Sequence, residues 1–264
     1  MIRANRLFVA CLSVASFAQA QNATDGAPGL TSGVPDLNGT WDNGGGVDFI
    51  NPVIDGESIC LAGCAAADED TSASAAPLPP DRPRYRPEFR ARVADLDARQ
   101  VDEDPVLRCF APGVPRIGPP DKIVQRESEI VFLYDDVSGN FFRIVPLDRS
   151  EHPTDTVASF LGDAIGRWDD GTLIVETVNF NGETWLTDDG SFHTSDLRVV
   201  ERIRRDGDTL VWQATAYDPA VLEEPWQLRP RTAIRTDLEV TEAPPCIERD
   251  LEHMVDDSNH DNPR

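Results

Sequence analysis

"DLRVVERIRRDGDTLVWQATAY", residues 196–217, decides the fold. Two runs rich in β-branched and aromatic residues flank "DGD", and both alternate apolar with polar side chains, which is the period of a half-buried strand. A Gly/Asp turn between such runs marks a β-hairpin. On the first strand Leu197, Val199, Glu201, Ile203 and Arg205 share one face, while Arg198, Val200, Arg202 and Arg204 share the other. On the second, Leu210, Trp212, Ala214 and Ala216 form the apolar face. Glu201 therefore falls among core positions, where a carboxylate is costly unless paired.

The same texture extends in both directions. "KIVQRE" (122–127), "EIVFLYD" (129–135) and "FFRIVPL" (141–147) read as strands, the last two joined by the turn "VSGN". "AIGRW" (164–168) meets "TLIVETV" (172–178) through "DDG", and "WQLRPRTAIR" (226–235) reads as the last strand. A short strand around Thr40-Trp41 precedes them all. No βαβ alternation is present, so the expectation is all-β: an antiparallel meander curled into a barrel-like, lipocalin-like domain or a strongly bent sheet. One helix is expected over 87–100, with Pro87 in its first turn and Phe89, Val93 and Leu96 on one face. Residues 102–120 read as an extended, proline-punctuated crossing.

Around this domain, expected over 35–250, the ends differ. Residues 1–20 have Arg3 and Arg6, an apolar run and a final Ala-Gln-Ala, the pattern of a secretory signal peptide. Residues 21–34 read as a mobile leader, 65–83 as an exposed acidic and proline-rich loop, and 251–264 as an acidic disordered tail. The expected location is periplasmic or extracellular, with no membrane insertion, because no run is long and apolar enough to span a bilayer.

The formal charge is −23, which disfavours nucleic acid and anionic membranes as partners. Lys122 is the sole lysine, so Schiff-base chemistry has one candidate. Once Cys11 leaves with the leader, four cysteines remain: Cys60, Cys64, Cys109 and Cys246. Three connectivities are possible, and the favoured pairs are Cys60–Cys64 and Cys109–Cys246. The second would tie the segment before the sheet to the one after it. A metal site is not expected, for want of C-x2-C pairs with nearby histidines.

Strand parity selects the chemistry-bearing residues. Arg143 shares its face with Phe141, Val145 and Leu147, which makes it an inward cation that can pair with Glu201. His193 precedes the Glu201 strand beside Asp196, in a loop at the sheet's mouth, where functional groups concentrate. His193, Glu201, Arg143 and Asp196 are the catalytic candidates; Trp185, Trp168, His152 and Asn181 are candidate lining residues. His253 and His260 fall in the tail. G-x-S-x-G, H-E-x-x-H, G-x-G-x-x-G and Walker A patterns are absent, which removes the hydrolase, zincin and nucleotide-binding readings, and no cofactor is expected.

"PDLNGTW", "DEDPVLRCFAPGVPR" and "GRWDDGTLIVETVNFNGETWLTDDGSFHTSDLRVVER" together resemble a large group of exported bacterial proteins of the hypothetical, domain-of-unknown-function kind. The resemblance spans about 35–250 and implies no particular reaction. Members often carry Gly-His-Ser or Gly-Asp-Ser before Gly-Arg-Trp, where this chain has Gly162-Asp163-Ala164. The later His-Ser of the pattern is here His193-Thr194. "NGTW" is also similar to the G-x-W of lipocalins. The function expected is a cofactor-free lyase, isomerase or dehydratase acting by acid–base chemistry on a small apolar or aromatic molecule. The alternatives are a lipocalin-like carrier and an envelope interaction protein that uses its acidic surface.

Overall fold

The computed structural model describes residues 33–43, 81–136, 138–243 and 246, together with the backbone of 53–54 and 57–58. The signal peptide, the Cys60–Cys64 pair, most of the leader and of the 65–83 loop, and the tail with His253 and His260 lie outside the described residues.

Twelve strands follow in chain order: β1 Gly39–Asp42, β2 Val53–Ile54, β3 Glu57–Ser58, β4 Lys122–Gln125, β5 Glu129–Asp136, β6 Gly139–Pro146, β7 Asp163–Asp169, β8 Thr172–Val178, β9 Arg198–Asp206, β10 Thr209–Tyr217, β11 Trp226–Gln227 and β12 Arg231–Thr236. β2 and β3 form a separate small hairpin. The others make one antiparallel sheet in the order β6-β5-β4-β1-β12-β10-β9-β8-β7, with β11 added to β10. The sheet is a nearly closed barrel, as the alternation predicts. Two runs of sequential hairpins, β4–β6 and β7–β10, are joined through β1 and β12: the N-terminal β1 inserts between β4 and β12, and β12 pairs with β10.

The seam lies between β6 and β7. These strands adjoin without a ladder between them. Gly166 on β7 lets them approach: a Cβ there would stand 2.7 Å from Val145 Cγ1 and 2.8 Å from Leu147 Cδ2.

Hairpin chemistry follows the sequence. The two-residue β7–β8 turn has Asp170 at φ 45° and Gly171 at φ 74°, the type I′ pattern that Asp-Gly favours. The registers place the short turns 126–128, 170–171 and 207–208 at one end of the barrel. The opposite end carries the long connections 179–197 and 218–225 and the segment before β4.

Three details differ from the sequence expectation. The 87–100 helix is a 3-10 turn, Pro87–Phe89, followed by α1, Arg90–Ala98. It breaks at Arg99 and resumes as α2, Gln100–Glu103. Residues 102–120 are a folded cap instead of an extended crossing: Val106–Arg108 is a 3-10 turn, and Asp104 and Arg116 form a buried two-pronged ion pair at 2.8 and 2.7 Å. The last strand divides into β11 and β12, because Pro230 has no N–H for the ladder and the Arg229 amide turns to Asp81.

Strand parity is followed closely. Leu197, Val199, Glu201 and Ile203 are at most 1% exposed, whereas Arg202 and Arg204 are exposed. Trp41, Phe132, Tyr134 and Trp212 fill the interior. Phe89, Val93 and Leu96 pack one face of the helical segment onto that core at the long-loop end. Cys109 and Cys246, one of the two favoured pairs, form a disulfide with Cα atoms 5.7 Å apart. Among the described residues, no helix is long and apolar enough to cross a membrane.

Candidate functional site

Arg143 on β6 and Glu201 on β9 meet across the barrel interior. Arg143 Nη1 and Nη2 donate to Glu201 Oε1 and Oε2 at 3.1 and 2.5 Å. Nη1 also donates to the Tyr134 hydroxyl at 3.1 Å, and Nη2 to Thr177 Oγ1 at 2.8 Å. Trp212 Nε1 donates to Glu201 Oε1 at 3.0 Å. Four of the five guanidinium donors are thereby satisfied, and only the buried Nε–H has no partner. Burial alone would depress the Arg143 pKa, but the facing Glu201 carboxylate and the Tyr134 oxygen together outweigh it and the net shift is upward. Burial raises the Tyr134 phenol, which stays neutral. The cluster holds two opposite charges in fixed positions, the arrangement of a structural clasp.

His193 belongs to a different cluster. Its Nδ1 lies 2.8 Å from the Thr194 carbonyl and its Nε2 lies 2.6 Å from Thr184 Oγ1. A carbonyl only accepts, so Nδ1 carries the proton and Nε2 accepts from the Thr184 hydroxyl. The ring packs edge-on to Phe180, and burial lowers its pKa, so it is neutral at pH 7. Hydroxyl, base and orienting carbonyl stand in the order of an activated nucleophile. Thr184 and His193 are nevertheless buried at 1% and 3%, and the backbone of Gly113 covers Thr184 so closely that a Cβ would stand 2.3 Å from Oγ1. A φ of 82° at Gly113 adds a second reason for glycine.

The other candidates are dispersed. Trp185 is buried and bridges to Phe192 across the 185–192 loop, as a core residue does. Trp168 packs partly buried against the core. His152 Nε2 stands 3.5 Å from Glu176 Oε1. Asn181 Oδ1 accepts the Glu183 amide at 3.1 Å and so shapes a loop turn. Asp196 is exposed, with its amide on Thr194 Oγ1.

Among the clefts of the described residues, two on the barrel wall adjoin the candidate residues. The larger, about 600 Å³, lies at the long-loop end. Val178, Leu197, Tyr217, Leu222 and Pro225 give it apolar walls, and Arg86, Asp196, Arg198, Asp218, Glu223 and Glu224 bring charge. Asp218 joins it to the His193 cluster, because its carboxylate accepts the Thr194 amide at 2.7 Å and the Thr194 hydroxyl at 3.0 Å. The second, about 490 Å³, lies at the seam between Phe110, Phe141 and Phe142 on one side and Phe160 and Leu161 on the other, and Arg143 is part of its wall. His193 and Glu201 line neither cleft.

Sequence reasoning selects Asp196 from the larger cleft but misses Asp218, Tyr217 and Leu222. Their signal is faint: "YDPAVLEEPW" reads as the exit from a strand, and its Asp-Pro and Pro-Trp belong to the pattern of the resemblance without pointing to a cleft. No family model matches the chain, nor does any curated protein or solved structure.

Proposed function

We propose that this protein binds a small, largely apolar molecule in the cleft at the long-loop end of its barrel. The observation that carries this reading is the cleft itself. A volume of about 600 Å³ with apolar walls and a few converging polar groups, here on the barrel wall at the long-loop end, is the usual form of a small-molecule site. The barrel interior is filled by Trp41, Phe132, Tyr134 and Trp212, which supports a ligand held on the wall at the long-loop end over one held deep inside as in a wide barrel. With a signal peptide read at 1–20, the binding would take place outside the cytoplasm.

Titration with the neutral dye Nile red tests it. Saturable one-to-one binding, weakened by Leu222→Asp and unaffected by Phe142→Asp at the seam, is the expected outcome. Absence of saturable binding, or loss only on the seam substitution, would overturn the assignment.

Acid–base catalysis is the second reading, and the neutral His193 beside Thr184 favours it. Asp218 and Thr194 link that pair to the same cleft. On this reading His193→Gln removes turnover of a ligand that still binds. Turnover that survives in the folded variant would exclude His193 as the base.

A further inference from the structure

The charge on the walls of the larger cleft is unevenly matched. Glu223 is paired with Arg90 at 2.7 Å, Glu224 with Arg84, and Arg198 with Glu176 at 2.9 Å. The Arg198 guanidinium also lies over the Tyr217 ring, 4.1 Å from its centre. Arg86 spends Nε and Nη2 on the Pro219 carbonyl. Two carboxylates remain, those of Asp196 and Asp218, and among the described residues neither has a cation within ion-pair distance. They stand against the single unpaired guanidinium of Arg86.

Asp218 is the more telling of the two. It is 1% exposed, and the bonds to its carboxylate come from the amide and hydroxyl of Thr194, both neutral donors. A carboxylate taken out of water is expensive to hold without an opposite charge. The Arg143–Glu201 and Arg116–Asp104 pairs show how this chain ordinarily meets that cost. Asp218 has no such partner among the described residues, and it is one of the residues that line the cleft.

On the reading of this cleft as the ligand site, we infer that its ligand is an organic amine: a protonated nitrogen on an apolar body. The nitrogen lies toward Asp218 and Asp196, and the body lies against Leu197, Leu222 and Pro225. A cation also suits a chain of net charge −23, whose field raises the local concentration of amines and repels organic acids.

Isothermal titration of the full chain with three probes of one shape tests the inference. They are 2-phenylethylamine, the neutral 2-phenylethanol and the anionic 3-phenylpropionate. The amine is expected to bind about tenfold more tightly than the alcohol, and the acid more weakly than either. Asp218→Asn should remove most of the amine's advantage and leave alcohol binding unchanged, and Asp196→Asn should reduce it in part. The second variant carries the test if the first fails to fold. Alcohol or acid binding as tightly as the amine overturns the inference and leaves the small-molecule reading intact. So does an amine preference that survives the substitutions. Failure of all three probes to bind overturns the small-molecule reading itself.

Discussion

Replacing Glu201 with glutamine is the sharpest test of what the barrel interior does. The substitution keeps the shape and removes one charge. It leaves the Arg143 guanidinium, itself 4% exposed, facing a neutral amide whose NH2 must oppose one of its donors. Of the three bonds to the carboxylate, at 3.1, 2.5 and 3.0 Å, the glutamine oxygen can keep those of Nη1 and Trp212 Nε1 and must give up that of Nη2. Breaking a buried pair by removing one partner costs about 3–5 kcal/mol. For a domain of this size that corresponds to a fall in Tm of roughly 6–20 °C. Urea unfolding followed by tryptophan fluorescence and far-ultraviolet circular dichroism reads the loss. The double variant Arg143→Met/Glu201→Leu removes both charges, and it should lose less than the sum of its single variants by about 2 kcal/mol or more. A cost below about 1 kcal/mol for Glu201→Gln, the range of an exposed pair, would refute the reasoning, because it would mean that water reaches the pair.

Four other outcomes are expected of the same molecule. The folded-state pKa of His193 is depressed by burial, so its stability contribution is present above the ordinary histidine value of about 6.5 and lost as pH falls below it; His193→Gln should flatten that slope in pH-dependent melting. Asp121 is pushed up to about 6, first by burial and then by Asp135 and Asp136, so its contribution is present below about 3.9 and lost as pH rises through 6. Asp121→Asn should therefore flatten the melting profile between pH 4 and 8 by about 1 kcal/mol, a figure reduced for the part of the side chain that water reaches. Gly166→Ala should cost about 1–3 kcal/mol in urea unfolding, because the added methyl meets Val145 and Leu147 at the seam. Cys109→Ser should cost about 2–4 kcal/mol by the same assay, and equal stability of the reduced and oxidised wild type would contradict it.

Much of the fold was legible in the chain. Alternation in 196–217 and 141–147 placed Glu201 and Arg143 on inward faces, and two lone ions on inward faces of one barrel have few other partners. Asp170-Gly171 fixed its turn, because only a few residue types adopt positive φ at both positions. The even count of cysteines after the signal peptide pointed to disulfides, and Cys109–Cys246 was the favoured one of the pairings left open. All of these rest on rules read along the chain: the period of a strand, the conformational range of a residue, the count of a residue type.

The tertiary structure decided what depends on contacts between segments distant in sequence. β1 closes the barrel between β4 and β12, although it contributes only four residues and some eighty separate it from its first partner. The segment 102–120 folds into a cap because Asp104 and Arg116 bury one another, which no periodicity encodes. The sequence places His193 in a loop at the sheet's mouth, as a catalytic candidate beside Asp196. Packing against Phe180 and enclosure by Thr184 and Gly113 made it a buried, satisfied group. The cleft arises where 178, 195–198 and 217–225 come together. Hydrophobic and charge patterns along a chain report which way each side chain faces, but a cavity is defined by where separate segments fail to fill space, and only the folded molecule determines that.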